Sequence, residues 1–215
     1  MTPQLVAIIP AAGQSRRMGQ PKLLLDVAGR SVIARVIDAL QQAGLIRCLV
    51  VVRTDDSALA AAVQSAGAEV VIPVVDPKDM RQSVESALRH LWCERVADRS
   101  ISSSATASDE GWVLVPADHP TLNPTILREL ISAWSAGPDR IVVPVFEGQR
   151  GHPTIFPRCM EKDVLALPLH QGLNQLLRSD PARVLEVEVT DPHILDDLDT
   201  PEDLLRLRRE WESTH

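Results

Sequence analysis

The sequence has few cysteines and no excess of basic residues, and each absence argues against a class of protein. Among its 215 residues are three cysteines, Cys48, Cys93 and Cys159. Their odd number and wide spacing argue against a disulfide framework or a zinc knuckle, and Cys48, inside an apolar run, is expected to be inert core. Lysine and arginine number 22 against 29 aspartates and glutamates, a formal net charge of −7, so we expect no nucleic-acid partner.

Long apolar runs are also missing. No run could span a bilayer, and the start MTPQ lacks the charged region of a secretory signal, so we expect no membrane partner and a cytoplasmic location. A length of 215 residues with 45% hydrophobic content predicts a single domain over 1–215 with a sizeable core. Within it, the Ser-rich stretch 98–111 has no apolar periodicity, which predicts a flexible loop.

Apolar patterns predict strands and helices that alternate along the chain. The predicted strands are 5–9, 46–52, 70–75, 112–115, 141–145 and 184–189. The predicted helices are 31–42, 57–66, one through 80–91, 125–134 and one that begins at 201. Such βαβ units form a mainly parallel sheet, and ligands bind beyond the carboxyl ends of its strands.

The loop after the first predicted strand carries the strongest functional signal. Residues 10–22 read PAAGQSRRMGQPK, with the small residues Ala11, Ala12 and Gly13 and the cations Arg16, Arg17 and Lys22. Small residues let the backbone approach an anion closely. A cluster of positive charge on an otherwise acidic protein also favours the binding of an anion. A nucleoside triphosphate is our candidate ligand. The alternative is a charged surface loop, and the spacing matches neither the Walker loop nor the dinucleotide fingerprint.

A carboxylate follows a later predicted strand. The apolar run 112–115 leads into Pro116, Ala117, Asp118, His119 and Pro120. A buried strand would deliver Asp118 to the sheet edge, where Mg²⁺ needs an oxygen ligand. The alternative for Asp118 is a turn or helix cap. We expect His119 to be a partly exposed spacer, and contact with a phosphate is the alternative.

Residues 11–22 resemble the signature loop of nucleotidyltransferases, Ala-Ala-Gly-x-Ser-x-Arg-Met-Gly followed by Pro-Lys. The matching residues are Ala11, Ala12, Gly13, Ser15, Arg17, Met18, Gly19, Pro21 and Lys22. In that family the Asp of a Gly-Asp-x-Pro motif holds the metal; Asp118 matches it, with Ala117 in the Gly position. The resemblance implies a three-layer α/β/α Rossmann-like fold of the glycosyltransferase A type, with a mainly parallel mixed sheet, and Mg²⁺ as cofactor.

The acidic stretch 196–203, DDLDTPED, resembles the family's closing Asp-Ile-Asp-Thr-Pro-Glu-Asp motif. A second carboxylate, Asp197 or Asp199, would complete the metal site, and Asp197 is our candidate beside Asp118. The alternative is helix capping, because acidic residues favour a helix N-terminus. We expect capping of Asp203, and for Asp197 both interpretations stay open.

Three further segments resemble the MocA-like molybdopterin cytidylyltransferases within the MobA-like superfamily. They are 79–84 (DMRQSV), 150–156 (RGHPTIF) and 170–177 (HQGLNQLL). The first departs from Gly-Met-x-Ser-Ser-Leu at Asp79 and Gln82. The resemblance implies CTP as the donor, a small phosphorylated acceptor with molybdopterin favoured, and contact with molybdoenzymes or other proteins of the cofactor's pathway.

The same resemblance assigns roles to individual residues. It makes Lys22, Arg17 and Asp118 catalytic, and His152 and Arg150 acceptor-binding. The nucleotide-binding set is Ala11, Ala12, Gly13, Ser15, Arg16, Arg17, Lys22 and Ser83. Without the resemblance His152 is a turn residue before Pro153.

Several functions remain open at this stage. One is cytidylyl or guanylyl transfer to another small phosphorylated metabolite, and another is nucleotide binding without turnover. A sugar-transferring enzyme of the glycosyltransferase A fold is disfavoured, because that class lacks the Arg-Met-Gly-x-Pro-Lys loop.

Overall fold

The computed structural model describes residues 4–15, 18–97, 110–168 and 170–214, with only the backbone described at 96–97 and 212–214. Its strands are β1 (Gln4–Pro10), β2 (Asp26–Val27), β3 (Arg30–Ser31), β4 (Cys48–Val51), β5 (Glu69–Val71), β6 (Glu110–Leu114), β7 (Ile141–Phe146), β8 (Gln149–Arg150), β9 (Thr154–Pro157) and β10 (Val184–Glu188). Its helices are α1 (Val32–Gln42), α2 (Ser57–Ser65), α3 (Met80–Ala97), α4 (Pro124–Ser135), α5 (Glu161–Ala166), α6 (Asn174–Ser179) and α7 (Pro201–Thr214). Within these ranges no helix has both the length and the apolar character needed to cross a bilayer.

One mixed sheet forms the centre of the described chain. Its strand order is β10-β7-β9-β6-β1-β4-β5, with β8 added to the end of β7. The pairs β1–β4, β1–β6, β4–β5 and β7–β10 are parallel, whereas β9 runs antiparallel to β6 and β7. The carboxyl ends of β1, β4 and β6 therefore meet at one edge of the sheet, where the functional motifs were expected.

Helices cover both faces of the sheet. Alternate residues of β1 point to opposite faces, so Ala7 and Ile9 pack with α1, α2, α4 and α7, whereas Ile8 packs with α3, α5 and α6. Strands buried on both sides need continuous apolar sequence, and β4 is buried at every position. The predicted three-layer α/β/α arrangement with a mainly parallel mixed sheet is thus confirmed.

Predicted caps are present where the sequence places them. The Ser31 hydroxyl accepts from the Ala34 N–H at 3.4 Å, and the Asn123 side chain accepts from the Thr125 N–H at 2.9 Å. Each satisfies an otherwise unpaired donor in the first turn of a helix. Cys48 is buried, and burial raises the pKa of its thiol to about 12, as expected of inert core.

The structure differs from the predicted strands at several ends. β5 ends at Val71, and the chain leaves the sheet with Val74 fully exposed (102%), because Pro73 has no N–H for the ladder. Ile46, expected to open β4, is 88% exposed. The predicted flexible stretch 98–111 lies outside the described residues except for Glu110 and Gly111, which belong to β6.

Candidate active site

Hydrogen bonds hold both ends of the loop after β1, one to the sheet and one within the loop. The Ala11 N–H donates to the Val51 carbonyl at 2.9 Å, and Met18 is buried. Ser15 has a φ of +46°, and its hydroxyl accepts from the Lys22 N–H at 3.3 Å. This bond closes the loop and delivers Lys22 back to the sheet edge. Arg16 and Arg17 lie outside the described residues.

The ammonium group of Lys22 contacts two carboxylates that are far from Lys22 in sequence. Its Nζ lies 2.5 Å from Asp118 Oδ2 and 3.0 Å from Asp199 Oδ1. Burial lowers the pKa of the ammonium, but the hydrogen bonds and negative charges of Asp118 and Asp199 outweigh it, so the pKa is raised. Lys22 is therefore fully charged at neutral pH, and a cation is fixed between two anionic groups.

Asp118 is positioned by β6 and by a backbone contact to the acidic C-terminal segment. Its carbonyl accepts from the Leu198 N–H at 3.1 Å. The preceding Ala117 is buried and is not among the residues with positive φ, so the backbone there does not require the glycine of the family motif. Alanine is therefore compatible with the backbone conformation of the residue before Asp118.

The acidic segment presents its two candidate carboxylates differently. Asp199 contacts Lys22, whereas Asp197 is 58% exposed at its side chain and lies 3.8 Å from His119 Nε2. Partial burial and the nearby charge of Asp118 raise the pKa of Asp197. Asp199, rather than Asp197, is thus the carboxylate that shares a cation with Asp118.

Asp203 fixes the segment by capping α7, as predicted. Its carboxylate accepts from the N–H groups of Thr200 at 2.8 Å and Asp199 at 3.1 Å, and the Asp203 N–H donates back to the Thr200 hydroxyl at 3.2 Å. This reciprocal arrangement is a capping box. It immobilises the backbone of Asp199 next to Lys22.

A cavity of about 220 Å³ opens beside Lys22. It is lined by residues 10–13 of the loop, residues 77–80 and 83 around the start of α3, and residues 116–118. Ser83 is buried there, and its hydroxyl donates to the Asp79 carbonyl at 3.2 Å. Lys78, an exposed lysine on the same rim, carries a positive charge that the sequence motifs did not single out.

A larger groove of about 630 Å³ lies on the other side of the loop. Arg53, the cation among its described lining residues, already forms ion pairs with Asp55 at 2.6 Å and Asp76 at 3.6 Å. Lys22 is likewise paired with two carboxylates, so ion pairing does not distinguish the two cavities. The Lys22 cavity differs from the groove because it joins residues 10–13 of the loop to Asp118, the candidate metal ligand.

His119 and His152 lie together, and the expectation for His119 was wrong. His119 is 1% exposed rather than partly exposed, because it packs beneath the acidic segment. Its ring is edge-on to that of His152, with centroids 6.0 Å apart. Burial lowers the pKa of both imidazoles, so both are neutral at pH 7.

Arg150 is oriented differently from His152. Arg150 is exposed, and its Nε donates to Glu186 Oε1 at 2.7 Å across the strands β8 and β10. Any role for Arg150 in binding an anionic acceptor would require this ion pair to exchange. The backbone N–H of His152, by contrast, donates to the Ile194 carbonyl at 2.9 Å and holds this residue in place.

Gly151 permits this contact, and its substitution provides a stability test. A Cβ at Gly151 would lie 2.4 Å from the Ile194 carbonyl oxygen, which is a backbone atom and cannot rotate away. We expect Gly151→Ala to lower the free energy of unfolding by about 2–3 kcal/mol, as overpacking does. Gly172→Ala is the matched control, because nothing lies within 4 Å of its added Cβ. Urea unfolding of both variants measures the difference, and equal midpoints would contradict it.

Comparison with known proteins identifies the family to which the chain is similar. The chain matches the model of a family described as MobA-like NTP transferase domain over residues 7–184. Purine catabolism protein PucB of Bacillus subtilis (strain 168) is 29% identical over 213 residues, 97% of this chain and 98% of PucB. A 3-deoxy-manno-octulosonate cytidylyltransferase of Serratia proteamaculans (strain 568) is 30% identical over 144 residues, which cover 65% of this chain and 51% of that protein.

Solved structures share the fold over nearly the whole chain. Rv0371c from Mycobacterium tuberculosis H37Rv superposes with a TM-score of 0.77 at 29% identity, covering 96% of this chain and 98% of Rv0371c. The same protein in complex with manganese gives a TM-score of 0.70 at 26% identity, with 96% and 98% covered. The strand order and the two helical layers are therefore an arrangement that related chains also adopt.

Proposed function

Because the chain belongs to the MobA-like NTP transferase domain family and is therefore a nucleotidyltransferase, we propose that it transfers CMP from CTP to the phosphate of a small acceptor, with release of pyrophosphate. Molybdopterin is the acceptor we propose first. The observation that carries the proposal is Lys22, fixed between Asp118 and Asp199 at the mouth of the cavity formed by residues 10–13.

The proposed donor and the proposed acceptor are supported by different observations. The choice of CTP is supported by similarity to a protein named as a cytidylyltransferase. The choice of molybdopterin is supported by the segment 150–156, which resembles that of the MocA-like branch. Similarity to PucB, whose name refers to purine catabolism, favours testing other small phosphorylated acceptors beside molybdopterin.

The residues present fit a divalent metal. Oxygen atoms of Asp118 and Asp199 converge on one cation, Lys22 Nζ, and carboxylate oxygens are the ligands that Mg²⁺ prefers. Asp118 would hold the ion, with Asp199 as its partner and Asp197 adjacent. When bound, Mg²⁺ supplies positive charge that offsets the charge of the phosphates.

The protein's own residues position the reactants and neutralise charge. We assign the base and ribose of the nucleotide to Ala12, Gly13 and Ser83, whose positions line one cavity. Lys22 faces the α-phosphoryl group, where negative charge develops as the acceptor phosphate attacks in line. A phosphate monoester is already ionised at pH 7, so the reaction needs no strong base. Arg16 and Arg17 remain our candidates for the other phosphates.

Nucleotide preference can be tested by ligand-induced stabilisation. A ligand at 100 times its Kd stabilises the folded state by about 2.7 kcal/mol, so in a thermal-shift screen of the four NTPs with Mg²⁺ we expect CTP to raise Tm most. Pyrophosphate release is then measured with CTP and candidate acceptors. A larger shift with GTP or ATP would overturn the choice of CTP. Binding without release for any phosphorylated acceptor would favour a nucleotide-binding protein without turnover.

A further inference from the structure

A small cavity lies beside the candidate active site, where three separate segments of the chain meet. It has a volume of about 10 Å³ and lies between the loop after β6, the residues before β9 and the turn Pro192–Leu195. Three of its lining residues each have a buried polar atom with no hydrogen-bond partner in the described chain. These atoms are Thr121 Oγ1, His119 Nε2 and His152 Nδ1.

Leaving these atoms unpaired would be costly. A buried donor or acceptor without a partner costs about 1–3 kcal/mol, and here three residues that line one cavity each carry such an atom. A single water needs about 10–15 Å³ and typically makes about three hydrogen bonds to buried polar groups. The volume and the number of polar groups both fit one water molecule.

We propose that this cavity binds one water molecule, which joins Thr121, His119 and His152, and that the resulting network positions the acidic segment 196–199 for catalysis. The binding of water stands on the cavity alone. The catalytic consequence rests on the proposed function.

A neutral imidazole nitrogen can donate or accept, and we assign both histidine nitrogens that face the cavity as acceptors. A water molecule donates two hydrogen bonds, which go to His119 Nε2 and His152 Nδ1, and the Thr121 hydroxyl donates to the water oxygen. Each neutral imidazole then carries its proton on the other nitrogen, Nδ1 of His119 and Nε2 of His152. His152 is thereby fixed as a hydrogen-bond donor at Nε2, which suits an acceptor rich in oxygen atoms.

The network is connected to both ends of the acidic segment. The His152 N–H donates to the Ile194 carbonyl at 2.9 Å, just before the segment. At its other end, the Leu198 N–H donates to the carbonyl of Asp118, the residue before His119, at 3.1 Å. His119 Nε2 also lies 3.8 Å from Asp197 Oδ1. His152 and the residue before His119 therefore hold the backbone at both ends of the segment that carries the carboxylates.

Thr121→Val tests the proposal, because valine keeps the shape of threonine and removes the donor. We expect an ordered water in a high-resolution crystal structure of the wild-type protein and its loss in this variant. Long-range ¹H–¹⁵N spectra of the wild type should show His119 protonated at Nδ1 and His152 at Nε2, with changed ¹⁵N shifts in the variant. We expect kcat for pyrophosphate release to fall about tenfold, as for other partners that orient a site from behind, with KM for the nucleotide unchanged.

Matched variants separate positioning from general destabilisation. Thr121→Ser keeps the hydroxyl and should restore kcat and the ¹⁵N shifts. Thr125→Val makes the same change at an exposed position of α4 and should alter neither. A dry cavity in the wild type would overturn the water site, and His152 protonated at Nδ1 would overturn the assigned directions of the hydrogen bonds. A wild-type kcat in Thr121→Val would overturn the positioning role. If the wild type transfers no nucleotidyl group, the proposed function fails, while the crystal and the spectra still decide whether the water is bound.

Discussion

Replacement of Lys22 by alanine is expected to lower kcat at least about 100-fold while the protein remains folded. Lys22 is the cation that Asp118 and Asp199 hold at the mouth of the nucleotide cavity, 2.5 Å and 3.0 Å from its Nζ. A fixed charge of this kind acts where negative charge develops in the transition state and needs no reorganisation during the reaction. Pyrophosphate release at saturating CTP measures kcat, and circular dichroism checks the fold.

Two further variants isolate the position of this charge. Lys162→Ala removes a lysine from an exposed site on α5 and should leave kcat unchanged. Lys22→Arg keeps the charge but replaces a compact ammonium with a planar fork, so we expect only partial recovery. Near-wild-type turnover in Lys22→Ala would remove Lys22 from the catalytic group and leave Arg16 and Arg17 as the remaining candidates in the loop.

Local sequence patterns predict the strands, loops and helix caps that are determined by neighbouring residues. The apolar run of β1 and the small residues after it required a strand and a loop at the edge of a sheet, and Ser31 and Asn123 cap their helices as expected. Patterns failed where tertiary packing decides. β9 is a central strand only four residues long, and it follows a Gly-His-Pro turn that has no period of its own.

Contacts between distant segments could not be derived from the sequence. Nothing in the DDLDTPED stretch distinguishes Asp197 from Asp199, because either aspartate could cap α7 or face the site. The distinction depends on the capping box of Asp203 and on the Leu198 N–H that donates to Asp118. Similarly, the burial of His119 results from a segment almost eighty residues away, and a local pattern carries no information about it.

Gly111 carries a signal that is present in the sequence. It closes a Ser-rich stretch, which predicts a flexible loop. In the structure a Cβ there would lie 2.8 Å from both the Phe156 carbonyl oxygen and the Trp134 ring. Glycine at the start of an apolar run can thus mark close packing inside a sheet, and the boundary of β6 moves back to Glu110.

Asp118→Asn and Asp199→Asn are each expected to lower kcat by about 10²–10³-fold, whereas Asp197→Asn should lower it less than about tenfold. The first two carboxylates contact Lys22 directly, and each would supply an oxygen ligand for a divalent metal. Asp197 is more exposed and faces His119 instead. Asp163→Asn, at an exposed position of α5, controls for the lost negative charge.

The double variant Asp118→Asn/Asp199→Asn gives the sharper test of a shared role. Groups that act as a unit are strongly non-additive, so that removing one costs nearly as much as removing both. We therefore expect kcat of the double variant to lie within about tenfold of that of either single variant, when Mg²⁺ is titrated to saturation in each. If the two losses multiply instead, Asp118 and Asp199 act independently, and a metal site shared by these two carboxylates is ruled out. That result would contradict the convergence of both carboxylates on Lys22 as a sign of a common role.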